Sequence, residues 1–202
     1  MEISVTYRRD WGVGWIAAEP ARMRRASHAL ADAGGVWLID PVDGEGLDDR
    51  LAGLGEVRGV IQLLDRHPRD CATLAARHGV PLLATPFDRV PGAPFEPVPV
   101  LRRSRWSETA LWWPRRRVLV VPEALGTAPY YRAPGERLGV HPLLRLTPPR
   151  VLTGFDPEFL LTGHGAPLEG PEVAAQVRRA VDRSRREIPR WLAGLPGARR
   201  RR

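Results

Sequence analysis

The sequence predicts an α/β protein of one domain. Short apolar runs typical of buried strands alternate with helical patterns over residues 25–84, which favours parallel strands joined by crossover helices. The length of 202 residues suits one domain with a sizeable core. Contents of 43% apolar and 27% charged residues are ordinary for a globular chain.

The first half supplies most of this alternation. The predicted order is strands at 27–30 and 36–40, a helix at 46–54, a strand at 57–64, a helix at 69–78 and a strand at 80–84. Asp40 ends its strand because a residue that precedes proline avoids the helical region. Gly79 ends the second helix because glycine readily adopts the left-handed conformation of a C-cap.

The second half predicts a strand-rich region followed by a long helix. Strands are predicted at 98–101, 108–113, 118–121 and 159–162, with a turn at 114–117, a short helix near Glu136 and a long helix at 171–192. We expect residues 1–194 to form one domain and residues 195–202 to form a basic disordered tail.

The basic charge is concentrated at the C-terminal end. The net charge is +8, and the segment from 171 onward carries 10 of the 31 basic residues but only 3 of the 23 acidic ones. The preceding part is therefore nearly neutral, which disfavours nucleic-acid binding as the function. All basic residues are arginine, which together with abundant Ala, Gly and Pro is typical of a GC-rich, actinobacterial-type coding bias.

The sequence also predicts the compartment. No apolar run reaches the ~20 residues of a membrane-spanning helix, and the N-terminus does not resemble a signal peptide. Cys71 is the only cysteine, which excludes an internal disulfide and favours a reducing environment. We expect a cytoplasmic protein without membrane contact.

Four segments, in the right order, resemble motifs of the metallo-β-lactamase superfamily. They are the Leu-Ile-Asp strand that ends at Asp40, the loop at 63–71, the strand and turn at 118–125, and the Gly-His-Gly-x-Pro loop at 163–167. This resemblance implies an αββα sandwich whose site lies on loops between the two sheets. It also implies that the site is degraded, because the family loop reads Thr-His-x-His-x-Asp-His.

The resemblance implies loss of the first metal position. Laid on the family motif, Arg66 and Pro68 stand at the first two metal-binding histidines, and neither side chain can serve as a ligand. No histidine occurs between 85 and 115, where the third is expected.

The resemblance implies a partly preserved second metal position. Asp70 matches the family aspartate, Cys71 replaces the adjacent histidine, His164 matches the late histidine, and Glu123 replaces the bridging aspartate. A single zinc ion held by Asp70, Cys71 and His164 is one alternative. The other is that Cys71 is a small buried hydrophobe at a helix start, with Asp70 as a capping carboxylate.

The loop also predicts an ion-pair network in place of the lost metals. Asp65, Arg66, Arg69 and Asp70 alternate in charge, and we expect Arg66 to neutralise Glu123 across the site. His67 is a candidate acid–base residue, with Asp70 as a second catalytic candidate.

These observations favour a protein of this fold with a degraded metal site and no bound cofactor. It would bind a small molecule or a protein partner in the family cleft without hydrolysing it. The first alternative is a residual single-zinc hydrolase of thioesters, lactones or phosphoesters that uses Asp70, Cys71 and His164. The second alternative is a basic nucleic-acid-binding protein.

Overall fold

The chain folds as an αββα sandwich. The computed structural model describes residues 1–18 and 23–194, so the predicted tail at 195–202 lies outside the described residues. Two mixed sheets, of six and five strands in the described part of the chain, pack face to face with helices on their outer surfaces. The fold class predicted from the sequence is confirmed.

The first sheet has the strand order β1-β2-β3-β4-β5-β6. Its strands are β1 (Ile3–Arg9), β2 (Gly12–Ala17), β3 (Ala26–Asp32), β4 (Gly35–Ile39), β5 (Val57–Gln62) and β6 (Leu82–Ala84). The first four are antiparallel neighbours, while β4, β5 and β6 are parallel. Helices α1 (Leu47–Ala52) and α2 (Cys71–His78) are the crossovers between the parallel strands.

The second sheet has the order β13-β12-β9-β8-β7. Its strands are β7 (Glu96–Arg103), β8 (Trp106–Trp113), β9 (Val118–Val121), β12 (Phe159–Thr162) and β13 (Leu168–Glu169). Strands β9 and β12 are parallel. A separate antiparallel pair, β10 (Leu125–Gly126) with β11 (Gly139–Val140), follows β9.

The core has three layers. Side chains of both sheets meet between them, with Trp37, Ile61 and Trp113 among the buried members. Helices α1 and α2 cover the outer face of the first sheet. Helix α3 (Val173–Arg183) covers the second through an apolar stripe that includes Val177 and Val181.

Three local features differ from the sequence predictions. The N-terminal hairpin β1–β2 was not predicted, although Ile3, Val5 and Tyr7 alternate with polar residues as in a strand. The predicted helix at 171–192 is two helices, α3 and α4 (Ile188–Gly194), separated where buried Ser184 exchanges hydrogen bonds with Arg145. The segment near Glu136 is a turn, whose carboxylate accepts from the Ala133 N–H.

Within the described residues, no helix is long and apolar enough to span a bilayer.

Candidate metal centre

Three loops bring the candidate ligands together at one end of the sandwich. His67 lies on the loop that follows β5, Glu123 follows β9, and His164 follows β12. Because β9 and β12 are parallel neighbours, their carboxyl ends meet at the same sheet edge. Gly163 allows the two loops to touch, since a Cβ there would collide with the carbonyl oxygen of Pro122.

The ligand atoms of these three residues form a small triangle. Glu123 Oε2 lies 3.0 Å from His67 Nε2 and 2.9 Å from His164 Nε2, and the two nitrogens are 3.2 Å apart. All three residues are buried. Nitrogen and oxygen ligands of a tetrahedral zinc ion, at about 2.0–2.1 Å from the metal, stand about 3.3 Å from one another. The triangle therefore has nearly the size that one such ion requires.

Asp40 orients His67 from the opposite side of its ring. Its Oδ2 lies 3.0 Å from His67 Nδ1, while its Oδ1 accepts from the Leu63 N–H at 2.8 Å. Burial and the nearby Arg69 lower the pKa of His67, but the hydrogen bonds to Asp40 and Glu123 outweigh them and raise it. A carboxylate behind a metal-type histidine is the usual device that fixes ring orientation.

His141 is a third histidine on Glu123. Its Nδ1 accepts from the Leu143 N–H at 3.3 Å, so its Nε2 carries the proton and donates to Glu123 Oε1 at 3.1 Å. Burial raises the pKa of Glu123, but the bonds from His141, His164 and His67 hold that pKa well below its usual range. Glu123 is therefore a carboxylate at neutral pH.

A second buried carboxyl fixes the loop that carries Glu123. Glu108 Oε1 accepts from the backbone N–H groups of Glu123 and Ala124, and its Oε2 accepts from Trp106 Nε1 at 2.8 Å. Burial raises the pKa of Glu108 to about 7, against the opposing effect of these donors. The loop is thus held by a carboxyl group whose charged form is disfavoured by burial and favoured by its three donors.

Arg69 ties the two sheets together beside the centre. Its guanidinium donates to the backbone carbonyls of Ala26, Asp40 and Gly163, which belong to both halves of the sandwich. Asp40 and Arg69 also adopt left-handed backbone conformations, with φ of 43° and 38°. Such conformations are costly for residues other than glycine and concentrate at functional sites.

While Glu123 is ionised, no arrangement of protons on the two rings satisfies all three edges of the triangle. His164 Nδ1 lies 3.0 Å from the Met23 carbonyl, which only accepts, so the proton of a neutral His164 ring stays on Nδ1. Its bare Nε2 then faces Glu123 Oε2 at 2.9 Å, lone pair against lone pair. If His164 Nε2 also carries a proton, this N–H faces the N–H of His67, with the two nitrogens 3.2 Å apart. A cation at the centre of the triangle removes both conflicts.

The structure groups His164 with His67 and Glu123 rather than with Asp70 and Cys71. Within the described residues, this trio is the set of potential ligands whose atoms converge. Asp70 precedes α2, and its Oδ2 accepts from the Asp43 N–H at 2.8 Å. Cys71 is buried with its Sγ 3.7 Å from the His67 carbonyl oxygen, and burial raises the pKa of this thiol to about 12.

The expected pairing of Arg66 with Glu123 is not formed. The Arg66 guanidinium instead lies 4.1 Å from the centre of the Trp106 ring, and its Nε is 3.8 Å from Asp65 Oδ1. Asp65 Oδ2 accepts from the Ser107 N–H. Glu123 is bonded by histidines instead, and the arginine of the loop that lies beside the centre is the half-buried Arg69.

Sequence reasoning proposed His67, Glu123 and His164 but did not group them, and it missed Asp40 and His141 as members of the site. The signal for Asp40 was its place at the end of a buried strand, where the family resemblance also has an aspartate. His141 carried no motif signal, because it lies in an irregular proline-rich segment that only the β10–β11 pair brings back beside Glu123.

Comparison with solved structures identifies the fold. The DIM-1 metallo-β-lactamase matches with a TM-score of 0.60 at 10% identity over 90% of this chain and 97% of its own. A metallo-β-lactamase from Pontibacter korlensis matches with a TM-score of 0.59 at 11% identity over 90% and 99%. The apo chemotaxis sensor ODP from T. denticola matches with a TM-score of 0.52 at 11% identity over 89% and 93%.

The chain therefore has the metallo-β-lactamase fold. No protein-family model and no curated protein sequence matches it. At these sequence identities the structural similarity shows the fold alone, and the evidence for function lies in the residues of the site.

Proposed function

We propose that this protein binds one divalent transition metal, zinc by its donor set, at His67, Glu123 and His164, and uses it as a single-metal hydrolase. The observation that supports this is the triangle of ligand atoms 2.9–3.2 Å apart, which protons on the two rings do not satisfy while Glu123 is ionised. Two imidazoles and one carboxylate form a donor set that zinc commonly takes at catalytic sites.

The surrounding residues suit such an ion. Asp40 fixes His67 and His141 fixes Glu123, so both ligands have a second partner that orients them. Zinc held by these three residues would act as a Lewis acid and would activate a water molecule. Thioesters, lactones and phosphoesters are the substrate classes for which this chemistry is sufficient.

The centre is covered by side chains. Trp106 packs edge-on against His141 with ring centroids 5.0 Å apart, and Arg66 lies over the outer face of Trp106. We infer that a substrate would approach the centre past these two side chains. The half-exposed Arg66 would then present a cation at the entrance, which favours substrates with a negative charge.

A metal-free binding protein is the second candidate. Its supporting observation is charge balance: Asp40 and Glu123 face Arg69 and a His67 whose pKa is raised, so two negative groups meet two positive ones. In this case the cluster would be a structural network, and the protein would act by binding a small molecule or a partner.

Metal content separates the two candidates. We expect the protein, purified without a histidine tag, to contain about one zinc ion per chain, and His67→Ala and His164→Ala to lose it. Asp70→Ala and Cys71→Ser, at the start of α2 a few residues after His67, are the controls and should retain it. Trace metal that is unaffected by His67→Ala and His164→Ala would favour the metal-free candidate.

Activity is tested on the same preparations. We expect hydrolysis of a thioester, a lactone or a phosphodiester that is lost after chelation and restored by added zinc. A fully loaded protein that hydrolyses none of the three would retain the metal site but contradict the hydrolase assignment.

A further inference from the structure

Tyr131 places a buried hydroxyl beside the metal centre. The residue is fully buried, and within the described residues its hydroxyl makes no hydrogen bond of standard geometry; the acceptor that it approaches is the Glu123 carboxylate. A buried unpaired polar group costs about 1–3 kcal/mol. Such a group therefore needs an explanation, because a phenylalanine would fill the same space without that cost.

The hydroxyl lies within the electrostatic reach of Glu123. Burial raises the pKa of Tyr131 well above its usual value, and the charges of Glu123 and Glu108 together with the contact between the hydroxyl and the Glu123 carboxylate raise it further. The tyrosine ring stacks on His164, with centroids 5.6 Å apart and planes 26° from parallel. Tyr131 therefore stays protonated at neutral pH and can act as a hydrogen-bond donor next to two of the three proposed ligands.

The fold makes room for this ring at two glycines. Gly126 and Gly139 are directly paired across the β10–β11 ladder. A Cβ at Gly126 would lie 2.6 Å from the Tyr131 ring, and one at Gly139 would collide with the Tyr131 carbonyl oxygen. The slot holds the ring in one place, and the Arg145 guanidinium binds the same carbonyl at 2.6 Å.

We propose that the Tyr131 hydroxyl is the hydrogen-bond donor for an oxygen ligand, a water or a small carboxylate, that binds in the open position of the centre beside Glu123. This inference rests on the proposed function, since the oxygen ligand needs the metal. It accounts for the unpaired hydroxyl, for its place against Glu123 and His164, and for the glycine slot.

The test uses the full chain loaded with Co²⁺, whose visible spectrum reports its ligands, and formate as the probe. We expect Tyr131→Phe to bind about one Co²⁺ as the wild type does, but to bind formate about tenfold more weakly because one charge-assisted hydrogen bond is lost. The pH at which the visible spectrum of the Co²⁺-loaded variant is half changed should rise. Tyr130→Phe, the neighbouring half-buried tyrosine, is the matched control and should change neither.

The outcomes separate the two proposals. Absence of Co²⁺ uptake by the wild type would overturn the proposed function. Normal Co²⁺ uptake by Tyr131→Phe with unchanged formate affinity and unchanged pH midpoint would overturn the role of Tyr131 alone. Loss of Co²⁺ from a folded Tyr131→Phe variant would also contradict the proposed role of Tyr131, because a structural role in holding the ligands would then explain its position.

A second measurement needs no variant at Tyr131. In zinc-loaded protein with ¹³Cζ-labelled tyrosine, formate should shift the Tyr131 resonance and leave those of Tyr7 and Tyr130 in place. Tyr130→Phe assists the assignment. A Tyr131 resonance that does not respond to saturating formate would overturn the inference.

Discussion

The Nε2 atoms of His67 and His164 lie 3.2 Å apart, although the two residues are separated by 97 positions in the chain. Both atoms also contact the same carboxylate oxygen of Glu123. Two imidazole nitrogens that face each other at this distance repel unless a proton or a cation lies between them. This relationship is the physical basis of the proposed metal centre.

Replacing Asp40 tests the support behind His67. Asp40→Asn keeps the shape of the side chain but removes the charge that faces His67 Nδ1 at 3.0 Å. We expect zinc affinity to fall by about 10–100-fold, the usual effect of removing a carboxylate behind a ligating histidine. A competition titration against a zinc chelator measures it. The control is Asp65→Asn, because Asp65 lies on the loop of His67 but accepts a hydrogen bond from Ser107. Equal zinc affinities for both variants would contradict the assignment.

Arg69, which precedes α2, and Arg77, in the last turn of α2, are compared to test the role of the Arg69 guanidinium. Arg69→Met removes three bonds to carbonyls of Ala26, Asp40 and Gly163 and leaves them buried, so we expect a loss of about 3–5 kcal/mol in the free energy of unfolding. Arg77→Met breaks a surface ion pair with Asp43 and should cost under about 1 kcal/mol. Urea denaturation of the metal-free protein compares them, and similar losses would show that Arg69 does not tie the sheets together.

The Cys71 thiol should be inert in the folded protein. Burial raises its pKa to about 12, so at pH 8 the folded state holds far less thiolate than the unfolded chain. Reaction with a disulfide reagent at pH 8 should therefore be on the order of 1,000-fold slower in the folded protein than in urea. Fast native labelling would show a thiolate and would revive Cys71 as a metal ligand.

One glycine of the slot and one control glycine outside it test the packing around Tyr131. Gly139→Ala places a Cβ against the Tyr131 carbonyl, and we expect a destabilisation of about 1–3 kcal/mol, typical of overpacking. Gly154→Ala has open space around its Cβ and should be neutral or stabilising by up to about 1 kcal/mol. Thermal unfolding compares the two. Equal melting temperatures would mean that the slot is not tightly packed.

The sequence predicted the strand–helix alternation of residues 25–84 well because buried strands and their crossovers carry strong local patterns. The hairpin β1–β2 was missed although β1 alternates in the manner of a strand, and the two glycines of β2 are the part of it that weakens the pattern. The break between α3 and α4 was missed because it depends on Ser184 bonding to distant Arg145.

The site was predicted less well, for a physical reason. Successive side chains of the loop around His67 point in different directions. Only the folded structure decides which of them points inward. His141 enters the site through a short ladder that no local pattern indicates. His164 was the site residue that the sequence indicated most directly, because the glycines on either side of it indicate a close approach of two backbone segments.

Zinc-edge X-ray absorption of the wild-type protein tests the central claim most directly. We predict nitrogen and oxygen neighbours alone at about 2.0–2.1 Å, with the outer-shell scattering of two imidazole rings, as His67, Glu123 and His164 require. A sulfur neighbour at about 2.3 Å would contradict the account and assign the metal to Cys71 instead.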